Sequence, residues 1–509
     1  MKRIFPVVVL AICLSGILLV GGLTTGHDWG GDFAGYIMQA QSLVRGSPGG
    51  FIEENRFAVE HSSVTIGPVA YPWGYPIMLA PFYAAFGLDM IALKMAGVIS
   101  YLLFLLLLLW GFRKVHEPFW LLCLVALFAF NPVMLAFSNN ILSDLPFLLF
   151  STLGVVLIGV VVVERRRIVS PLWDSVLLGA VIAAAFFIRT NGLLLLVPLV
   201  IAQLVSAARS REGERTLLVY IMPYVVFVCA TLIWELALPK GGASHLGLLK
   251  DISGRSILSN IDYYTRKPST FFTGVPGYRI VYILSLPIAA AGAIRRIRSD
   301  YPAVIYVAAT MILYILWPYH QGLRFVFPIL PFYISFMISG LGMLQGSKGG
   351  MGMKLRKLAC CVPMVAIILV FVLVSVQNAY TNIQSGRAAG IGPHTKTARD
   401  MFVFVKENTG EEGTIIFFKP RVMKLMTGRR SLLINAPEEL ERGDYLCFYA
   451  EGGTHEQVSS GVIEELLRTG AARLIYESVD FKVLILENIP NGTWDDGLHD
   501  EDNSALIIW

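Results

Sequence analysis

The sequence predicts a polytopic α-helical membrane protein that ends in a small α/β domain. Three observations carry that prediction. The 509 residues are 55% hydrophobic and 15% charged, whereas a soluble protein of this size carries about 25% charged residues. Mean hydropathy is +0.64, and the apolar residues gather into runs of about 17–25, the length that crosses a hydrocarbon core of about 30 Å. After about residue 390 the charge rises and the apolar runs shorten. The net charge of +5 would suit nucleic acid, but the basic residues stand between apolar runs, where membrane orientation accounts for them.

About eleven spans are expected, near 5–23, 90–112, 119–137, 145–163, 174–189, 192–208, 216–238, 278–294, 302–318, 325–345 and 358–377. The first, within MKRIFPVVVLAICLSGILLVGG, exceeds a usual signal-peptide core and no A-x-A site follows, so it reads as an uncleaved helix. Basic residues cluster at Lys2-Arg3, Arg113-Lys114, Arg165 to Arg167, Arg209 to Arg215, Arg295 to Arg298 and Lys348 to Lys357. These fall on alternate ends of successive spans, so a cytoplasmic N-terminus obeys the positive-inside rule at every loop. An odd span count then leaves the C-terminus outside a cell membrane. Residues 1–377 form the membrane module on this reading, with long outer loops at 24–89 and 239–277. Residues 378–509 form the extracytoplasmic domain.

In the first loop, AYPWGYPIMLAPFYAAFG is apolar but carries three prolines, which suits an interfacial helix. In the tail, GTIIFFKP and KVLILEN read as strands. ARDMFVFVKENTG and EQVSSGVIEELLRTG read as amphipathic helices, the second capped by Gly470. Cys13, Cys123, Cys229, Cys360 and Cys361 lie in apolar runs and Cys447 stands alone, so all six read as small apolar fillers.

Ionisable groups in membrane helices cost about 2.5–3.5 kcal/mol at the span centre, so those inside a span or at its rim need a reason. Asp28, Asp32, Asp144, Arg189, Glu235, His320 and Arg324 all fall at the expected outer rim. Asp32 shares a helical stripe with Tyr36 and Ala40, which aims its carboxylate into the packing, but it equally suits a helix N-cap. Asp28 reads as a turn residue. Asp144 precedes Leu-Pro and suits a plain helix start. Arg324 offers a guanidinium fork that matches phosphate oxygens, with snorkelling as the plainer account. His320 shares its face if the helix extends back, and is otherwise a polar rim residue. Helix capping accounts for Arg189, and snorkelling for Lys94 and Glu235. There is no G-x-x-x-x-G-K-[ST], strand-embedded G-x-G-x-x-G, H-E-x-x-H or G-x-S-x-G, which argues against ATP-driven transport and serine hydrolysis. Asn491 opens a formal glycosylation triplet.

Five motifs in order carry a resemblance. They are G-D-x-x-x-Y-x-x-x-A-x-x-L at Gly31 to Leu43, Y-P-x-G-Y-P at Tyr71 to Pro76, and N-P with S-D at Asn131-Pro132 and Ser143-Asp144. I-R-x-N-G at Ile188 to Gly192 and R-F-x-x-P-x-x-P at Arg324 to Pro331 follow. Over roughly residues 1–345 the chain resembles the GT-C membrane glycosyltransferases, nearest the protein O-mannosyltransferases and the aminoarabinose transferases of lipid A. The resemblance implies an enzyme that moves a hexosyl or pentosyl group from a polyprenyl-phosphate donor to an acceptor hydroxyl on a protein, lipid or polysaccharide at the outer face. Inversion at the sugar is expected. It implies Asp32 as general base, Asp144 in donor or acceptor positioning and Arg324 as a phosphate contact. His320, Arg189, Tyr36 and Tyr75 complete the candidate binding set. Burial at a low-dielectric membrane mouth is expected to raise the Asp32 pKa. Many members carry Asp-Glu in the first loop where this chain has Asp32-Phe33; a divalent cation such as Mg or Mn, held by very few carboxylates, stays possible. The alternatives are a transporter or flippase for a lipid-linked saccharide, which would show inverted repeats and mid-membrane charges, and a non-catalytic envelope-assembly protein.

Overall fold

The structure, a computed structural model, describes residues 5–209, 217–241, 252–317, 320, 322–344, 351–450, 456–487 and 489. Lys2-Arg3, Arg211 to Arg215, Lys348 and Asn491 lie outside the described residues. Helix α1 (Phe5–Gly21) leads to three helices of the first loop: α2 (Gly31–Val44), α3 (Pro48–His61) and α4 (Gly74–Phe86). Then come α5 (Met90–Phe112), α6 (Pro118–Ala129), the short α7 (Pro132–Phe137), α8 (Asp144–Leu157), α9 (Pro171–Ile188), α10 (Leu196–Arg209) and α11 (Leu217–Ala237). In the next loop α12 (Gly254–Arg266) precedes α13 (Tyr278–Leu316), and α14 (Leu330–Leu344) and α15 (Met351–Gln384) end the bundle.

Among the described residues eight helices are long and apolar enough to cross a bilayer. Helices α1 and α6 are apolar but shorter. The two spans expected at 278–294 and 302–318 are both present: α13 comprises two helices that meet at Asp300, whose φ of −110° and ψ of 20° leave the helical region. Pro302 cannot supply an N–H there, and Asp300 pairs with Arg296 at 2.5 Å. The chain is a multi-pass membrane protein. Its largest core runs through α1, α5, α6, α8, α9, α13 and α14. Gly292 and Gly340 let α13 and α14 approach backbone to backbone, since a Cβ on Gly292 would lie 2.7 Å from Gly340 N.

The C-terminal domain contains α16 (Lys396–Asn408), β1 (Thr414–Ile416), α17 (Pro420–Thr427), β2 (Arg430–Leu432), β3 (Tyr445–Tyr449), α18 (Ser460–Thr469), β4 (Ala472–Glu477) and β5 (Phe481–Leu486). The sheet order is β2-β1-β3-β5-β4; β1 pairs in parallel with β2 and β3, while β5 runs antiparallel to β3 and β4. The two expected strands are β1 and β5, and α18 ends at Gly470 in the left-handed region. One sheet face packs on α18 through Val462 and Leu466. The other shares a core with the first loop, where Phe417, Val422, Met423 and Val483 meet Phe33, Tyr36, Ile37 and Tyr75. Trp29 of the HDWGG turn is seated among Phe402, Phe417, Phe418, Tyr449 and Phe481, with ring centroids 5.1–6.4 Å apart. The domain is thus built onto α2, the helix that carries Asp32.

Lys94 does not snorkel. Its side chain is fully buried on α5, and the ammonium donates to the Thr24 carbonyl at 2.8 Å, to Asn139 Oδ1 at 2.8 Å and to the Gly26 carbonyl. Several oxygens thus replace the water that the buried amine loses, and these ties hold the start of the first loop against residue 139.

Candidate active site

Two turns set the site. Asp28 Oδ1 accepts the Gly30 N–H at 3.1 Å, so Asp28 is the expected turn residue and the chain enters α2 at Gly31. His27 Nε2 accepts the Ile141 N–H at 3.1 Å, which places the ring proton on Nδ1, 2.6 Å from Asp28 Oδ1. That link joins the turn before α2 to the turn before α8. It fixes how Asp32 and Asp144 sit relative to each other.

Asp32 does not cap α2: the N-cap is Gly30, with no side-chain cap hydrogen bond. Its Oδ2 instead meets Arg324 Nη1 at 3.0 Å, and Oδ1 accepts from the Tyr71 hydroxyl at 2.6 Å. Arg324 does not snorkel to solvent, since its side chain is 15% exposed against 18% for Asp32. Beside this pair, Arg189 Nη1 meets Asp144 Oδ1 at 2.6 Å, with Asp144 only 2% exposed. The Phe325 ring lies between the two cations, 4.5 Å from the Arg189 guanidinium and 5.6 Å from that of Arg324. Such stacking holds guanidinium planes without using their N–H donors.

Tyr36 forms the wall on the α2 side. Its ring packs 4.5 Å from Tyr71 and 4.9 Å from Tyr75, and its hydroxyl shares a 2.9 Å hydrogen bond with Ser143 Oγ. Three buried polar atoms here, Asp144 Oδ2, Tyr75 Oη and Arg324 Nε, have no protein partner among the described residues. Buried polar atoms left open in this way mark where a polar ligand or water bonds. A cavity of about 310 Å³ lies between α3 and the C-terminal domain and is lined by Phe51, Asn55, Arg421 and Lys424. Asp32 and Arg324 do not line it.

The electrostatics correct one expectation. Burial pushes the Asp32 carboxyl up, but the Arg324 charge, the hydrogen bonds from Tyr71 and Arg324, and the more distant Arg421 outweigh it. The net shift is downward from the ordinary value of 3.8. Burial and the charge of Asp32 push the Tyr71 phenol well up, so it remains a donor. Burial, with Tyr36 and Asp144, does the same to Tyr75.

Asp32, Asp144, Arg189, Arg324, Tyr36 and Tyr75 therefore come together. His320 joins a different group: its ring stacks on Tyr263 of α12 at 4.0 Å and its Nε2 is 3.3 Å from Ser259 Oγ. Two further members carry no signal of their own in the sequence. Tyr71 stands within Y-P-x-G-Y-P, and Arg421 stands in PRVMK, an ordinary amphipathic stretch 350 residues away. Both carboxylates already face a guanidinium, and among the described residues no three His, Cys, Asp or Glu side chains form a ligand group.

No protein-family model matches the chain, and no curated protein does. Solved structures do. ArnT from Cupriavidus metallidurans in the apo state superposes with a TM-score of 0.59 at 11% identity, covering 94% of this chain and 98% of that one. The same protein bound to undecaprenyl phosphate gives 0.56 at 12% identity, covering 94% and 97%. The archaeal oligosaccharyltransferase AglB from Archaeoglobus fulgidus, in complex with an inhibitory peptide and a dolichol-phosphate, gives 0.53 at 10% identity, covering 83% and 64%. At such identities the likeness is one of fold, and at 94% coverage it reaches past the motif-bearing segment into the C-terminal domain. The fold is the one seen in ArnT and AglB, in keeping with the resemblance to GT-C membrane glycosyltransferases that the motifs carry.

Proposed function

We propose that this protein transfers a sugar from a polyprenyl-phosphate donor to an acceptor hydroxyl, at the membrane face that bears the C-terminal domain. On the positive-inside reading that face is extracytoplasmic. One observation carries the proposal: Asp32 and Arg324, 292 residues apart in the chain, form a 3.0 Å ion pair in one rim site beside Asp144 and Arg189. A site for this reaction needs a carboxylate for the acceptor and fixed cations for the phosphate, side by side. The fold shared with ArnT bound to undecaprenyl phosphate supports the donor class.

In this reading the ion pair is the resting state. The donor phosphate draws Arg324 away from Asp32, and Arg189 adds a second cation across the Phe325 ring. Asp32 thereby loses the charge that held its pKa down and becomes a stronger base at the moment the donor is in place. The acceptor oxygen attacks the anomeric carbon as its proton passes to Asp32 Oδ2. The bond from that carbon to the phosphate oxygen breaks, and polyprenyl phosphate leaves with the electron pair, its new charge met by the arginines. A single displacement inverts the anomeric centre. Asp144 Oδ2 and Tyr75 Oη, without protein partners, are placed to bond sugar hydroxyls.

The test is to incubate the purified protein with polyprenyl-phosphate sugars and candidate acceptors, and to analyse the products by mass. A sugar-sized mass gain on an acceptor, with the opposite anomer, is the expected result. Movement of the lipid-linked sugar across vesicles without covalent transfer would replace this reading with a flippase.

A further inference from the structure

We propose that Arg421, on α17 of the C-terminal domain, is a positioning residue for Asp32 and acts through the Tyr71 hydroxyl. The inference deepens the transferase reading and rests on it only for its effect on turnover. Arg421 is 3% exposed. Its Nη1 donates to Tyr71 Oη at 2.8 Å, its Nη2 to the Pro68 carbonyl and its Nε to Asn55 Oδ1 at 3.4 Å. These partners are neutral, and a buried guanidinium is costly without compensating charge. The negative charge it meets is Asp32, one hydroxyl away.

Arginine only donates. Tyr71 Oη must therefore accept from Arg421, and its own proton must point at Asp32 Oδ1, 2.6 Å away. The chain from guanidinium through phenol to carboxylate has one direction. It pins Oδ1 and leaves Oδ2 toward Arg324. When a phosphate takes Arg324, Oδ2 alone is freed, and the carboxylate cannot rotate to offer the other oxygen. Two glycines clear the space for this arrangement. A Cβ on Gly35 of α2 would lie 2.8 Å from Tyr71 Cε2. Gly67, at a φ of +103° that favours glycine, would place one 3.1 Å from Arg421 Nη1 and 3.3 Å from Tyr71 Oη. The shared core of α2 and α17 delivers the guanidinium rigidly.

The groups that face Asp32 are Arg324 from the 323–329 segment, Tyr71 from the loop before α4, Arg421 from α17 and Tyr36 on its own helix. Arg189 and Asp144 stand behind them, against Tyr36 and Arg324.

The experiment uses the full chain in lipid nanodiscs. Infrared titration follows the Asp32 carboxyl band, identified by its loss in Asp32→Asn, and turnover is measured in parallel. Arg421→Met is expected to raise the Asp32 midpoint by about one unit and to lower kcat about tenfold or more, with donor KM unchanged. Arg421→Lys, which keeps the charge, holds the midpoint near wild type. Tyr71→Phe raises it. An unmoved midpoint in folded Arg421→Met, even with a lower melting temperature, overturns the proposal as a merely structural contact would. Should Arg421→Met fail to fold, an unmoved midpoint in Tyr71→Phe overturns it instead. A wild-type protein that transfers no sugar removes the transferase reading, and the titration still decides the role of Arg421.

Discussion

Neutralising Asp32 separates its role in stability from its role in transfer. Asp32→Asn keeps an acceptor for the Tyr71 hydroxyl but leaves Arg324 facing an amide. The pair is 3.0 Å long with side chains 18% and 15% exposed. An exposed pair is worth about 0–1 kcal/mol, and breaking a fully buried one costs about 3–5 kcal/mol; this geometry falls between, at about 2 kcal/mol. Arg324→Gln should cost a similar amount. In the double variant no charge is stranded, so the loss falls short of the sum by about 1–2 kcal/mol. Transfer behaves otherwise: Asp32→Asn is expected to lose about 10²–10⁴ in rate, and the double variant recovers none of it. Melting in detergent and a mass-based transfer assay read the two quantities. Additive stability losses, or an Asp32→Asn protein with more than about a tenth of wild-type transfer, would refute the reasoning. The pH dependence has a definite sign. Asp32 titrates below 3.8 in the folded protein, so its contribution is complete above that value and is lost as pH falls through the lowered pKa.

Gly35→Ala places a Cβ 2.8 Å from the Tyr71 ring and should push the phenol off Asp32; transfer falls by about tenfold or more while membrane insertion is normal, and full activity would show that the ring has room to yield. Lys94→Met removes the donor shared by the Thr24 and Gly26 carbonyls and Asn139. A loss of about 3 kcal/mol is expected, and an unchanged melting temperature in detergent would show that water replaces the ammonium. Burial, with Lys94, His27 and Arg399 nearby, pushes His394 down to about 4 from 6.5. The unfolded chain binds that proton first, so stability should fall as pH drops from 6.5 towards 4. His394→Gln should flatten that part of the melting profile, and an unaltered slope would assign it to other groups.

The sequence alone determined the membrane class, the positions of the apolar helices, the helical run from Asp32 and two strands of the tail. Each of these is a local property. A bilayer demands an apolar run of a certain length, and a helix or strand shows its period within a dozen residues. Even the break in α13 between the two expected spans has a local cause in Pro302. Asp32, Asp144, Arg189 and Arg324 were each ambiguous in sequence, because capping and snorkelling fit the same spacing. Only the tertiary structure decided them, since a carboxylate's role depends on the cation it meets, and here that cation is 292 residues away. The same holds for the sign of the Asp32 shift, where burial and charge oppose each other and the outcome rests on distances. Arg421 carried no local signal at all. Its meaning comes from the packing of the C-terminal sheet on α2, which no stretch of either segment encodes by itself.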